Sequence, residues 1–444
     1  MKKSFFGTDG VRGTVGEDPM SAEFALRLAS AAAQVLVREG GKVLIGKDTR
    51  LSGYMFESAL EAGFVAAGAD VLLLGPLPTP GIAHLTQCFE ASLGVVISAS
   101  HNRYYDNGIK FFDGAGAKLS DEVELEIERY LGQPAITLKS QSLGSAERID
   151  TACARYQDFC ASTFPDDLDL KGVKVVFDGA NGAGYKVGPR TLTELDAEVI
   201  PIACSPNGRN INDGCGSTHP EVLQLTVPAV KANAGIALDG DGDRVLMIDE
   251  TGQIIDGDQL LYILATARQR EGALKGPVVG TVMSNLGLER ALEKHDIEFR
   301  RARVGDRYVL ETLYETGGII GGETSGHVIC LDCTTTGDGL VAALQVLAVM
   351  RRTGKPLSEL AQGMAKFPQT MVSVVTGKAL DPSKSSKIQD AVSQVEGELA
   401  GSGRVVLRAS GTEAVIRVMV EGENESQVIH LAEKLAAVVA EAAN

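Results

Sequence analysis

Short apolar runs alternate with longer amphipathic stretches along most of the chain. Lys42–Gly46 reads as a strand, behind a helical stretch from about Ser21 to Glu39. Phe56–Ala69 repeats the helical spacing and precedes strand-like Val71–Leu74 and Gly94–Ile97. A Ser/Gln/Gly-rich stretch near residues 140–146 separates this round from a second. The second holds strands at Val173–Asp178, Glu198–Ile200, Ile236–Leu238 and Val245–Ile248, with a helix over about 187–195. A third runs through a strand at Pro277–Gly280, a helix near 286–295 and a long helix from about Gly337 to Arg352. Strands parted by helices predict βαβ units with mainly parallel sheets. Beyond residue 367 the order changes: a β-type segment at 370–376, a helix over about 384–399, strands near 404–408 and 415–420, and a closing helix at about 425–441. A chain of 444 residues exceeds what one core organises. The pattern divides it into 1–152, 153–256, 257–367 and 368–444, three α/β domains with mixed, mainly parallel sheets and a smaller C-terminal α+β domain.

Charge narrows the partners. The net charge of −16 disfavours nonspecific nucleic-acid binding, which needs a basic surface to displace counterions. It leaves room for an anionic small substrate, because a basic pocket can lie inside an acidic protein. No run reaches the roughly 18 apolar residues of a membrane span, and the N-terminus lacks the apolar stretch of a signal peptide. The seven cysteines are scattered, and Cys330 and Cys333 form a lone CxxC without a second pair. A reducing cytoplasm is the expected location.

The chemistry gathers in four loops. Asp239-Gly240-Asp241-Gly242-Asp243-Arg244 puts three carboxylates into five positions between two apolar strands. In a flat strand the outer two would lie about 13 Å apart, too far for one cation. Glycines at φ > 0 can curl the backbone and bring them together, and the repulsion between them then calls for a hard divalent metal. The spacing also resembles an EF-hand loop, with Glu250 at position twelve, but Arg244 occupies the position that requires glycine and the flanks are β-like. Calcium and magnesium both remain open on these residues. Ser98-Ala99-Ser100-His101-Asn102 follows a strand, where open α/β sheets place ligands, and Lys110 lies shortly downstream. No G-x-S-x-G elbow accompanies Ser100 and His101. In Gly322-Glu323-Thr324-Ser325-Gly326-His327 a carboxylate, a hydroxyl and an imidazole alternate, and an extended loop would turn Glu323, Ser325 and His327 toward one side, as a sugar's hydroxyls require. Arg408-Ala409-Ser410-Gly411-Thr412-Glu413, with Arg417 beyond it, reads as an anion cradle in which Arg408 offers bidentate geometry to phosphate.

Taken together, one loop from each presumed domain, these segments resemble the α-D-phosphohexomutase superfamily, whose four domains surround a central cleft. The resemblance spans essentially the whole chain. Phe6–Gly13, Gly46–Arg50, Met283–Asn285, Val304–Tyr308 and Thr335–Gly339 are similar to the bacterial phosphoglucosamine mutase branch. The resemblance implies reversible interconversion of glucosamine 6-phosphate and glucosamine 1-phosphate through a 1,6-bisphosphate, feeding UDP-N-acetylglucosamine and cell-wall synthesis. A phosphomannomutase or phosphoglucomutase of the same superfamily is the alternative. It also implies a phosphoserine at Ser100, primed by a sugar 1,6-bisphosphate, and one Mg²⁺ held by Ser100, Asp239, Asp241 and Asp243. Arg12, Lys110 and Arg244 would lie near the transferring group, with His101 or Lys110 accepting the sugar's proton. Glu323, Ser325 and His327 would hold the ring, and Arg408, Ser410, Gly411, Thr412 and Arg417 the phosphate that is not reacting. The expected partner is a phosphosugar; a homodimer is left open. Two positions depart from the family pattern, Arg103 and Ala414, where proline is usual. Proline stiffens a turn, so both loops are expected to be looser than in relatives.

Overall fold

The computed structural model describes residues 3–7, 9–37, 40–376, 381–409 and 415–443. Its first sheet has six strands in the order Val11–Thr14, Asp106–Asp113, Leu93–Ile97, Lys42–Lys47, Asp70–Pro76, Ala146–Arg148. The second has five, in the order Ile254–Ile255, Val245–Asp249, Ala234–Leu238, Lys174–Asp178, Glu198–Ile202. The third has four: Phe299–Ala302, Val278–Thr281, Ile320–Gly322, Val328–Cys330. Gln369–Val375, Val415–Gly422 and Gly403–Ala409 make a wholly antiparallel fourth sheet. Helices alternate with strands in the first three, as the hydrophobic spacing predicts. Their boundaries are set by local chemistry: Ser21 caps Ala22–Leu36 by accepting from the Phe24 N–H, and Asp256 and Gln259 form a capping box on Gly257–Arg270.

One feature of the topology places the site. In each of the first three sheets the central pairing is parallel, yet the strand after the functional loop runs antiparallel to the strand before it. Leu93–Ile97 pairs antiparallel with Asp106–Asp113, Ala234–Leu238 with Val245–Asp249, and Ile320–Gly322 with Val328–Cys330. Gly403–Ala409 and Val415–Gly422 repeat the arrangement in the fourth. An antiparallel pair closes through a short connection, whereas a parallel pair needs a crossover of a dozen residues or more. Each functional loop is therefore a tight reversal at the end of a strand.

The helix Gly339–Thr353 is buried on nearly all its faces and belongs to a core that continues through the first three domains, from Leu44 and Phe112 through Phe177 and Tyr262 to Leu344. Asp338 caps it, accepting from the N–H groups of Leu340 and Val341 and from the Tyr156 hydroxyl at 2.8 Å. The C-terminal domain has a core of its own, built from residues such as Val374, Ile388, Val418 and Leu435.

Candidate active site

The three carboxylates do converge. Asp239, Asp241 and Asp243 are buried, and one oxygen from each lies within 4.8 Å of the others. Gly242 takes the positive φ of 72° that makes the curl, and its N–H donates to Asp239 Oδ1 at 3.1 Å. Gly240 does not take a positive φ among the described residues; it is needed for the close approach of its backbone to the Ser100 loop. Asp241 Oδ1 and Asp243 Oδ1 are buried with no hydrogen-bond partner among the described residues. Burial and the charges of Asp241 and Asp243 push the Asp239 carboxyl well above its ordinary range. Three hard oxygen donors, two of them unpartnered, in a cluster that resists ionising together suit a divalent cation.

Cations surround the cluster. Lys110, on the strand Asp106–Asp113, places Nζ 2.9 Å from Asp241, 2.8 Å from Asp9 and 3.8 Å from Asp243. Burial opposes its charge, but those three carboxylates hold its pKa above the ordinary lysine value. Burial likewise raises the Asp241 carboxyl while Lys110 and the Thr79 hydroxyl at 2.7 Å lower it, and the net direction is down. Arg12 donates to Asp9 at 3.1 Å. Arg244 closes the turn with Nη1 3.3 Å from His101 Nδ1. Burial, then Arg244 and Arg12, bring the His101 imidazole down to about 4, so it is neutral near pH 7.

Ser100 lies against this cluster. Its Oγ donates to Asp239 Oδ2 at 2.6 Å and is 3.4 Å from His101 Nδ1. Asp9, Arg12, Phe6 and the Gly305–Tyr308 segment line a cavity of about 620 Å³, which reaches the cluster through Asp9 and its partner Lys110. The loops of the first two domains thus meet.

The loop from Gly322 to His327 meets them differently. It is a tight turn, with the Gly326 N–H bonded to the Glu323 carbonyl and the Glu323 N–H to the His327 carbonyl, so the expected extended alternation does not form. Ser325 is exposed and Glu323 is partly buried, its Oε1 accepting from the Gly305 N–H at 2.9 Å. His327 is buried, with Nδ1 3.7 Å from Asp243 and Nε2 3.6 Å from Asp306. The intervening Thr324 bonds Asp258 at 2.8 Å. A hairpin two residues wide at its tip cannot keep the two-residue alternation of a strand.

In the fourth loop Ser410, Gly411 and Thr412, and Ala414 with them, lie outside the described residues. The arginines that flank it are described: Arg408 and Arg417 are directly opposite each other in the antiparallel register, the first partly buried and the second exposed. Like charges facing across a ladder are unfavourable unless an anion lies between them. Arg103, at the other departure, turns outward and pairs with Asp213 at 2.5 Å.

Several contributors had no assigned role in the sequence. Lys118 bonds Asp9 at 2.6 Å and forms an ion pair with Asp306, joining the Lys110 side of the site to the His327 side. Arg50 and Asn212 hold the Ser100 loop from behind. Asp9, Arg50 and Asp306 fall inside motifs legible in the chain; nothing local marks Lys118 or Asn212.

Comparison with known proteins agrees with this geometry. Profiles described as phosphoglucomutase/phosphomannomutase alpha/beta/alpha domains I, II and III match residues 3–135, 154–252 and 256–367, and the C-terminal domain matches 371–438. A phosphoglucosamine mutase of Aeromonas hydrophila is 57% identical over 437 residues, 98% of each chain. Another, of Methylococcus capsulatus, is 56% identical over 444 residues, 100% of this chain and 99% of its own. Among solved structures, a phosphoglucomutase/phosphomannomutase family protein from Burkholderia thailandensis superposes with a TM-score of 0.80 at 24% identity, covering 98% of both chains. Aspergillus fumigatus N-acetylphosphoglucosamine mutase in complex with GlcNAc-6P and magnesium gives 0.69 at 18%, over 100% of this chain and 96% of its own. These last two likenesses show the fold.

Proposed function

The chain belongs to the phosphoglucomutase/phosphomannomutase family, in its phosphoglucosamine mutase branch, and we propose that it interconverts glucosamine 6-phosphate and glucosamine 1-phosphate with Ser100 as the phosphoryl carrier. The observation that carries this reading is the position of Ser100 Oγ, 2.6 Å from one of three clustered carboxylates and close to a neutral imidazole.

A phosphate on Ser100 would bring about −1.5 to −2 charges beside the three aspartates. Asp239, Asp241, Asp243 and that phosphate would hold Mg²⁺, which when bound offsets the charge and polarises the phosphorus. Phosphoryl transfer asks the protein mainly for positioning and charge stabilisation. The free sugar hydroxyl attacks the Ser100 phosphorus; its O–P bond forms as the Oγ–P bond breaks, and the proton that the sugar hydroxyl loses is returned to the departing Oγ through His101, 3.4 Å away, giving a 1,6-bisphosphate and the Ser100 hydroxyl bonded to Asp239. Lys110 is held as a cation by its three carboxylates, so His101 is the candidate for the hydroxyl's proton. Arg12 and Arg244 steady the charge on the transferring group. The bisphosphate then turns, and its other phosphate passes back to Ser100. Arg408 and Arg417, with Ser410, Gly411 and Thr412, hold whichever phosphate is idle, while Glu323 and Ser325 meet the ring. His327 acts through Asp243 and Asp306.

We place the enzyme in the cytoplasm. All seven cysteines are free, and burial raises the thiol pKa of Cys330 and Cys333, so that pair behaves as inert packing. No helix among the described residues is long and apolar enough to cross a membrane.

The test is turnover of glucosamine 6-phosphate with Mg²⁺ and a trace of sugar bisphosphate, with intact mass followed for one added phosphate. Faster turnover of mannose or glucose phosphates would move the assignment to another branch. Phosphate release exceeding isomerisation would make the protein a phosphatase.

A further inference from the structure

Ser100 has a φ of 50°, in the left-handed region that side chains with a Cβ enter at a cost of about 1–2 kcal/mol. Such a conformation persists only where its surroundings over-determine it. Here every backbone polar group of Ser100 is tied. Its N–H donates to Ser98 Oγ at 2.9 Å. Its carbonyl accepts from Arg50 Nη2 at 3.1 Å and from Asn212 Nδ2 at 2.9 Å. The same two nitrogens also reach the carbonyl of Asn102, at 2.5 Å and 2.9 Å. Two –NH₂ groups, one from a guanidinium and one from an amide, thus each bridge the same two carbonyls across the turn that carries Ser100.

The two donors come from different domains. Arg50 is fully buried in the first, anchored by its ion pair with Asp48 and by its own N–H to Asp48 Oδ1 at 2.8 Å. Asn212 belongs to the second. It is buried, has a φ of 55°, and donates its backbone N–H to the Ala180 carbonyl at 2.9 Å. The carboxylate loop passes over the same point: a Cβ on Gly240 would lie 2.5 Å from the Ser100 carbonyl oxygen and 2.6 Å from Asn212 Nδ2. One amide therefore fixes both the curl of the Ser100 turn and its register against Asp239.

We propose that Asn212, acting with Arg50, is the positioning residue that holds Ser100 Oγ in line with the carboxylate loop across the boundary between the first two domains. This rests on Ser100 being the phosphoryl carrier. Asparagine suits the position because it tolerates a positive φ and offers two hydrogens from one nitrogen. Aspartate has the same shape but would turn a carboxylate oxygen toward two carbonyl oxygens. Releasing the clamp lets the turn relax toward an ordinary φ and swings Oγ away from Asp239. A misplacement of about 1 Å in a reacting group is enough to slow transfer roughly a hundredfold.

The experiment compares the wild-type enzyme with Asn212→Gly, which accepts the positive φ but lacks the amide, and with Asn212→Asp. Uptake of one phosphoryl group from glucose 1,6-bisphosphate is followed by quenched intact mass, alongside kcat and KM. In both variants uptake and kcat should fall about a hundredfold, while KM stays within about twofold, because the sugar and idle-phosphate contacts are untouched. A clamp that served only folding would lower the melting temperature and leave uptake by the folded fraction unchanged. Uptake at the wild-type rate in either folded variant overturns the proposal. Failure of the wild-type enzyme to take a phosphoryl group on Ser100 overturns the functional reading beneath it, a result visible before any variant is made.

Discussion

Ser100 Oγ donates a 2.6 Å hydrogen bond to Asp239 Oδ2, across 139 positions of chain and the boundary between two domains. Replacing Ser100 with alanine removes the carrier and little else. Turnover and the added phosphate in intact mass should both vanish, while the circular dichroism spectrum stays as in the wild type. Retained mutase activity in that variant would rule Ser100 out as the carrier.

Asp239 resists ionisation because it is buried with Asp241 and Asp243. Asp239→Asn should therefore raise the melting temperature in EDTA and abolish the rise that Mg²⁺ gives the wild type. For the wild type a saturating metal, at about a hundred times its dissociation constant, is worth roughly 2.7 kcal/mol. Differential scanning fluorimetry with and without Mg²⁺ checks both signs. An unchanged Mg²⁺ effect in the variant would count against the carboxylate cluster as the metal site.

Lys118 joins Asp9 to Asp306, and through them Lys110 to His327. Lys118→Met removes the cation that pairs with Asp306, while Asp9 keeps Lys110 and Arg12, and should cost about 3 kcal/mol in urea unfolding. Adding Asp306→Asn should recover part of the loss. Additive losses in the double variant would show that the two side chains are not coupled.

Asp258 links the Gly322–His327 loop, through Thr324 Oγ1 at 2.8 Å, to the N–H of Asn285 at 2.8 Å. Burial and the neighbouring Asp256 push its carboxyl from 3.8 up to about 6. The folded state thus keeps a proton that the unfolded state has released, so stability falls as pH rises from about 4 to about 6 and stays lower above it. The full effect is on the order of 3 kcal/mol. Asp258→Asn removes that dependence. Its melting temperature relative to wild type should be more favourable at pH 7.5 than at pH 4.5, and a pH-independent difference would refute the shift.

Arg408 and Arg417 face each other across the fourth sheet with like charges. Arg417→Ala should raise KM for the sugar phosphate about tenfold, the scale of one lost charge-assisted hydrogen bond. It should also leave the unliganded protein no less stable, since a repulsion is relieved. A KM unchanged from wild type would remove Arg417 from the phosphate site.

Much of this protein is local, and local features are what a sequence can specify. Periodicity marks many of the strands and helices, among them Lys42–Lys47 and Ala22–Leu36, because burial on one face dictates spacing whatever the partner; it leaves out others, such as Asp106–Asp113 and Val328–Cys330, that frame the loops. The hexapeptide from Asp239 to Arg244 marks a candidate metal site by itself, since its glycines can curl the backbone and bring three carboxylates within reach of one cation. The curl at Gly242 and the loop at Ser100 follow from residue type and strand ends.

What joins those loops is not local. That each functional loop bridges an antiparallel pair depends on which strands become neighbours, and hydrophobic alternation looks the same in either direction. His327 lies buried against Asp243 and Asp306, a contact that depends on how the second and third domains pack. Lys118 and Asn212 carry no motif; they matter because tertiary packing delivers a cation between Asp9 and Asp306 and an amide against the Ser100 carbonyl. Residue chemistry by itself determined which groups could hold a metal and a phosphate. Only the packing of one domain on the next decided where Ser100 Oγ points, because a left-handed turn at a serine is stable only when contacts from elsewhere in the chain hold it there.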